Sequence, residues 1–437
     1  MVACQCQESG MPPLGGGMPM PGSSMPPPSG GMPMPIGGMP IPSGMPVGGG
    51  GMPPPSTGMP MAGGSMPPPS IGMPVAGSGM PTTKQWYATV RRTLSTTTTR
   101  RWISSSCRFC WLSSCSIDRP PVTHGTVKPA TNFSAENDAA ALRNAMKGLG
   151  TDEKAIIVVL TRRSNEQKQQ IKLKFKSMYG KDLIKELKSE LSGNFREVIL
   201  GLMMNPAEFD SYNLHKGIEG IGTDEDALIE ILCSRSNEEI QKIKKQYKED
   251  HKVELEKDIR GDTSGHFRRL LISMTTAARE PDGPIDRQKA RQDAQVLYQA
   301  GEAKWGTDEA KFNSILCARS YAHLRVVFDE YSKISRYDIE QSISREMSGD
   351  LKNAMITIVK CVRDKSGYFA ERLYKSMKGL GTDDKTLIRV MVSRCEVDMV
   401  EIKSAFEKMH RKSLESFIKG DTSGDYKRAL LALAGEY

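Results

Sequence analysis

The chain has 437 residues, enough for several domains or one repeat array, and a net charge of +9. The charge is uneven: residues 1–83 hold only Glu8, residues 84–124 hold seven Lys and Arg against Asp118, and the remainder keeps +4. So mild a basic excess argues against a dedicated nucleic-acid binder, and no uninterrupted apolar run of about 18 residues offers a transmembrane span.

Residues 1–83 are almost wholly Gly, Pro, Met and Ser, and no basic-then-apolar signal pattern opens the chain. Met-Pro recurs every seven residues at Met11, Met18, Met25, Met32 and Met39, slips by one, and resumes from Met45 to Met80. A Pro after each Met abolishes a heptad helix. The composition buries too little apolar surface to offset ordering entropy, so a disordered tail is expected, either a spacer or a weak multivalent contact for a protein partner. Residues 84–125 form a basic Ser/Thr linker with Trp86, Trp102, Trp111 and Cys107-Arg108-Phe109-Cys110 near Cys115. A structural zinc site needs four ligands, and no second pair lies close. The segment reads as a basic aromatic contact for anionic surfaces, or as sequence with no evolved role, including translated non-coding sequence.

From residue 126 the pattern turns helical. Ser134 can cap a helix carrying Leu142 and Met146, and Thr151 can cap the next, with Asp152 and Glu153 in its first turn and Ile156, Val159 and Leu160 on its apolar face. Ser164-Asn165-Glu166-Gln167 is a capping box before Ile171, Phe175 and Met178. Leu183 and Leu187 mark a fourth helix; Phe195, Val198, Ile199 and Leu202 mark a fifth, and Asn205-Pro206 closes the unit. Lys168, Lys172, Lys174 and Lys176 read as a solvated helix face. The order recurs, with a second capping box at Ser236 to Glu239, the stripe Ile240, Ile243 and Tyr247, and an Arg 13 residues after each Gly of a Gly-Thr pair, at Arg163, Arg235, Arg319 and Arg394. The fold class is therefore all-α, with four repeats of about 70 residues and five helices each, at 126–206, 207–280, 281–365 and 366–437, whose neighbours bury one another's stripes. Cys233, Cys317, Cys361 and Cys395 fall in apolar helical patterns and read as small buried hydrophobes in a reducing compartment, so a cytoplasmic protein is expected.

One signal repeats four times. Gly150, Gly222, Gly306 and Gly381 each begin Gly-Thr-Asp, and an acid follows 40 positions later at Glu190, Asp262, Glu346 and Asp421. A Gly turn can point successive carbonyls one way. Ca²⁺ takes about 6–8 oxygens from carbonyls, carboxylates and water. Three loop carbonyls and a bidentate carboxylate leave the shell short, and a lipid phosphate can complete it. A plain helix-joining turn, with Gly as C-cap and Thr as N-cap, explains the loop but not the distant acid. The tips Leu149, Ile221, Trp305 and Leu380 could enter the headgroup region, where Trp is favoured.

The repeated (Met/Ile)-x-Gly-x-Gly-Thr-Asp with its acid 40 residues on resembles the annexin family over residues 126–437. That resemblance implies a curved four-repeat disc and reversible calcium-dependent binding to acidic phospholipids such as phosphatidylserine. It places calcium on the carbonyls of Met146, Gly148 and Gly150 with Glu190; on Ile218, Gly220 and Gly222 with Asp262; and on Met377, Gly379 and Gly381 with Asp421. The third loop lacks a Gly two before Gly306 and resembles the family's Trp-exposing variant, so Gly301, Lys304 and Gly306 are taken with Glu346. The tail resembles long Gly/Pro-rich annexin tails, although residues 1–86 contain no Tyr, and residues 84–124 match nothing in the family pattern. Arg260-Gly261-Asp262 spells an integrin-type tripeptide, but its Asp is already placed in the second calcium site. No EF-hand loop, phosphate loop or Gly-x-Ser-x-Gly occurs, so no enzyme is expected. The alternative function is an α-helical scaffold for protein partners in which calcium is only structural.

Overall fold

Short capping sequences set most helix boundaries. Ser134 accepts from Asn137 N and opens α1 (Ala135–Ala145). Ser164 and Gln167 form a reciprocal box that opens α3 (Asn165–Tyr179), and Gly180 ends it in the left-handed region at φ 64°. Between them lies α2 (Glu153–Leu160), and α4 (Leu183–Glu190) and α5 (Gly193–Met203) complete the first repeat. Asn205 caps α6 (Pro206–Ile218) in a box with Glu208, with Pro206 in the first turn, where its missing N–H costs nothing. Asn205-Pro206 therefore opens the second repeat as well as closing the first. That repeat continues with α7 (Glu225–Ser234), α8 (Asn237–His251), α9 (Leu255–Asp262) and α10 (Gly265–Thr275). The third holds α11 (Arg287–Ala300), α12 (Glu309–Ala318), α13 (Tyr321–Ile334) and α14 (Ile339–Glu346). Its fifth helix runs into the first of the fourth repeat as α15 (Gly349–Met377), bent at Asp364, where φ −153° and ψ 94° leave the helical region and the side chain accepts from Gly367 N. α16 (Asp384–Arg394), α17 (Met399–His410), α18 (Leu414–Asp421) and α19 (Gly424–Leu433) end the array.

The computed structural model describes residues 123–148, 150–220 and 222–436, and among them there are only helices and their connections. The tail and nearly all of the linker read from the sequence lie outside this range. The last linker residues do not: His124 N donates to Glu401, its carbonyl accepts from Val400 N, and a Cβ on Gly125 would stand 2.5 Å from the Glu396 carbonyl carbon. The chain thus packs on the fourth repeat before α1 begins.

Two apolar cores form, and chain order does not set their pairing. One joins repeats 1 and 4, with Leu142, Ile156, Phe175 and Leu187 against Leu373, Phe406, Leu414 and Leu430. The other joins repeats 2 and 3, with Leu228, Tyr247 and Ile259 beside Leu297, Phe312, Tyr331 and Ile358. The array therefore closes on itself, α19 packing on α2 and α5. Repeats 2 and 4 meet through charge instead: fully buried Glu230 on α7 accepts from Arg389 Nε at 2.9 Å and Nη2 at 3.0 Å, and from Arg372 Nε at 3.3 Å.

Two expectations on α3 are corrected. Met178 is exposed, because the buried line runs through Gln167, Lys168, Ile171 and Phe175. Lys168 does not belong to a solvated face: it is 1% exposed and its Nζ donates to Glu396 of the fourth repeat at 3.0 Å. Lys174 is paired with Glu136.

Candidate calcium-binding loops

Each first helix ends, a short loop follows, and the second helix starts on the Asp of Gly-Thr-Asp. The N-cap is that Asp, not the Thr: Asp152, Asp224, Asp308 and Asp383 accept from the N–H three residues on at 3.0, 3.0, 3.2 and 3.1 Å. Their own N–H groups reach back to the carbonyls of Ala145, Gly217, Ala300 and Ser376 at 2.7–2.9 Å, closing each loop. The Thr is thereby released for another task. Thr151, Thr223, Thr307 and Thr382 donate to carboxylate oxygens of Glu190, Asp262, Glu346 and Asp421, at distances between 2.5 and 3.5 Å. Those acids are the last residues of α4, α9, α14 and α18, so the tertiary fold brings every distant acid to its own loop.

The loop backbone takes a form that only Gly adopts freely. Gly148, Gly220 and Gly379 stand at φ 115°, 118° and 119°; Gly150, Gly222, Gly306 and Gly381 at φ 81–89°. Among the described residues no hydrogen bond ends on the carbonyls of Gly148, Gly150, Gly220, Gly222, Gly306, Gly379 or Gly381. Nor does any of the four acids pair with a Lys, Arg or His there, whereas Glu186, Glu256, Asp338 and Glu415, also near helix ends, do. Four anionic groups held by hydroxyls beside free carbonyls form a hard oxygen donor set, which suits Ca²⁺. No three His, Cys, Asp or Glu side chains among the described residues converge on a metal, so an ion here must lean on backbone oxygens.

The third loop differs. It has one more residue, and Gly301, the first position expected to hold calcium, has φ −126° and ψ −98°. The Gly301 carbonyl already accepts from Lys304 N at 3.0 Å, leaving one lone pair, and Glu346 Cγ lies 3.6 Å from where a Gly301 Cβ would be. Trp305 and Leu380 at the loop tips are fully exposed, whereas Leu149 and Ile221 lie outside the described residues. Met146, Ile218 and Met377 end the first helices with their side chains buried and only their backbone available to a ligand.

The repeated Arg has a role that spacing alone did not disclose. Arg163, Arg235 and Arg319 make bidentate contacts to Asp138, Asp210 and Asp293 on the first helix of their own repeats. Burial would raise the Asp293 carboxyl, but its bonds from Arg319 and His323 hold it below the ordinary range. These acids stand 25 or 26 residues before each Arg, a regular step open to a reader who counts backward from the Arg. In the fourth repeat Phe369 takes the acid's place, Arg394 stacks 4.6 Å from its ring, and Asp398 supplies the carboxylate. A cavity of about 350 Å³ between repeats 1, 2 and 4 includes Arg235, Arg394 and Lys168 in its wall but none of the loop residues.

The comparisons agree with the four-repeat fold. The annexin family model matches residues 137–202, 209–274, 292–358 and 368–433, one match for each five-helix group. Annexin A4 of Sus scrofa is 57% identical over 311 residues, covering 71% of this chain and 98% of its own. Annexin A7 of Homo sapiens is 53% identical over 315 residues, covering 72% of this chain and 64% of its own. Among solved structures, chicken annexin V is 51% identical, with a TM-score of 0.68 over 72% of this chain and 99% of its own. A calcium-bound annexin (Sm)1 is 34% identical, with a TM-score of 0.65 over 72% and 93%. With four repeats matched in sequence and in fold, the chain belongs to the annexin family.

Proposed function

We propose that this chain binds membranes rich in acidic phospholipids when calcium is present and leaves them when calcium is withdrawn. The observation that carries the reading is the set of four acids without cationic partners, each held by a Thr hydroxyl against a turn whose Gly carbonyls are free, save that of Gly301 in the third loop. Membership of a family known for calcium-dependent phospholipid binding supports it. Calcium, when bound, supplies a positive centre with room for more oxygens than the loop provides. The carbonyls of Met146, Gly148 and Gly150 with Glu190 would hold it in the first site; Ile218, Gly220, Gly222 and Asp262 in the second; Gly301, Lys304, Gly306 and Glu346 in the third; Met377, Gly379, Gly381 and Asp421 in the fourth. The threonines fix the carboxylate rotamers, which lowers the ordering cost of capture. Exposed Trp305 and Leu380 meet the headgroup region beside their sites. The chemistry is adhesive and non-enzymatic, and the setting is a cytoplasmic protein reversibly at membrane surfaces. Among the described residues no helix is long and apolar enough to cross a membrane.

The test is co-sedimentation of the full chain with phosphatidylserine vesicles, with and without a calcium chelator. The Glu190→Ala/Asp262→Ala/Glu346→Ala/Asp421→Ala variant is expected to stay folded and remain in the supernatant. Pelleting of that variant to wild-type level refutes the assignment. Capture of protein partners with no calcium-dependent pelleting of the wild type favours the scaffold reading.

A further inference from the structure

The third repeat departs from the others at two places, and one side chain joins them. Its loop carries an extra residue: the capping Asp308 reaches back eight positions to Ala300, where Asp152, Asp224 and Asp383 reach back seven. Its third helix also ends differently. α3, α8 and α17 each close on a left-handed residue, Gly180, Lys252 and Arg411, at φ 58–64°. α13 instead closes on extended Ser335, at φ −104° and ψ 151°. That turn points Ser335 toward the longer loop. The Ser335 hydroxyl shares its proton between Glu302 Oε2 and the Tyr337 carbonyl, and Arg336 N donates to Glu302 Oε1 at 3.4 Å. The same hydroxyl accepts from Tyr337 N at 3.0 Å, and the Arg345 guanidinium lies 4.3 Å from the Tyr337 ring, one residue before Glu346. No other loop makes this tie among the described residues. Glu219 of the second loop pairs with His215 of its own helix, and Lys378 of the fourth lies over Tyr374.

We propose that Glu302 is a positioning residue for the third loop, fastening the inserted stretch to the α13–α14 bend so that Trp305 and the carbonyls of Gly301 and Gly306 are presented together with Glu346. The proposal rests on the calcium reading above. The extra residue gives this loop more backbone freedom than its three counterparts, and an unrestrained loop loses that freedom only on binding. A carboxylate anchored at both oxygens removes the freedom beforehand. The free Trp305 ring, which packs on nothing in the fold, then owes its place to the backbone beneath it.

The experiment uses the full chain with Trp86, Trp102 and Trp111 changed to Phe, leaving Trp305 as the sole tryptophan, excited selectively over tyrosine. Phosphatidylserine/phosphatidylcholine vesicles with brominated acyl chains quench that fluorophore when it enters the lipid, and calcium is titrated. Glu302→Ala is expected to raise the calcium midpoint of quenching on the order of tenfold, while pelleting through the other three sites persists. Ser335→Ala should shift it the same way, the double variant should add little to either single one, and Glu302→Gln should recover part of the shift. Glu346→Gln is the reference and should abolish quenching. An unchanged midpoint in Glu302→Ala with quenching abolished in Glu346→Gln overturns the positioning role, as does a lowered Tm with no midpoint shift. Quenching that survives Glu346→Gln overturns the third-site assignment, and quenching that persists with a calcium chelator overturns the calcium reading itself.

Discussion

Gly379→Ala isolates the backbone term of a single site. Gly379 stands at φ 119°, well beyond the left-handed well that side-chain-bearing residues visit, and a Cβ built there meets nothing within 4 Å. The substitution therefore creates no clash, and its whole cost is conformational, about 1–3 kcal/mol. That cost appears either in folding or in ligand binding. The fourth loop is exposed, its tip Leu380 is fully solvated and its carbonyls are free, so it relaxes before the helices yield. Calcium must then restore the strained turn, which weakens the site by about 5- to 150-fold. The assay is the calcium midpoint of vesicle binding in a Glu190→Gln/Asp262→Asn/Glu346→Gln background, where only the fourth site remains. Gly420→Ala is the control: Gly420 is helical in α18, beside the proposed ligand Asp421, with nothing within 4 Å and no positive φ. It is expected to leave the midpoint in place and stabilise slightly. A Gly379→Ala midpoint within twofold of its parent, or an equal shift from Gly420→Ala, refutes the reasoning.

Glu230→Gln leaves the buried Arg389 guanidinium without a carboxylate and Arg372 with Asp226 alone, and should cost about 3–5 kcal/mol in urea unfolding; a loss under about 1 kcal/mol contradicts that account. His251 stacks 3.7 Å from His215, His410 stacks 3.7 Å from Tyr374, and both have Nε2 atoms buried without a partner. Desolvation lowers both pKa values, helped by the His215 charge at His251 and the Lys378 charge at His410. With the folded pKa below the unfolded value of about 6.5, the unfolded chain takes up protons first. Stability is therefore full above about pH 6.5 and falls as pH drops from there through the depressed values. A His251→Gln/His410→Gln chain should show a shallower fall in Tm between pH 7 and 5, and an unchanged slope would exclude these residues as its source. Burial pushes the Cys317, Cys361 and Cys395 thiols up to about 12 and raises Cys233 further from reactivity. Mass-mapped alkylation at pH 7.5 should leave all four unlabelled in the native chain, and fast labelling of any one would show that its helix pair opens.

What was legible beforehand was what short stretches of chain control. The capping boxes at Ser164 and Ser236 satisfy helix N–H groups three residues away, so the local sequence alone decides them. The fixed step from each Gly-Thr to its acid could be counted, and the fold sets Glu190, Asp262, Glu346 and Asp421 at that loop. The Thr was misplaced as a cap because both Thr and Asp can serve; only the carboxylate arriving from the fourth helix shows why Asp takes the N–H and Thr takes the acid. Lys168 looked solvated because its partner Glu396 is 228 residues away.

The repeat count, the helical class and the spacing of the loops are thus properties of the linear chain, since periodicity and caps act over a few residues. The pairing of repeat 1 with repeat 4, the buried Glu230 cluster, and the bend that brings Ser335 to Glu302 belong to the tertiary structure. Each depends on which apolar face or charge meets which across hundreds of residues. An amphipathic stripe declares that it must be covered, but not by what.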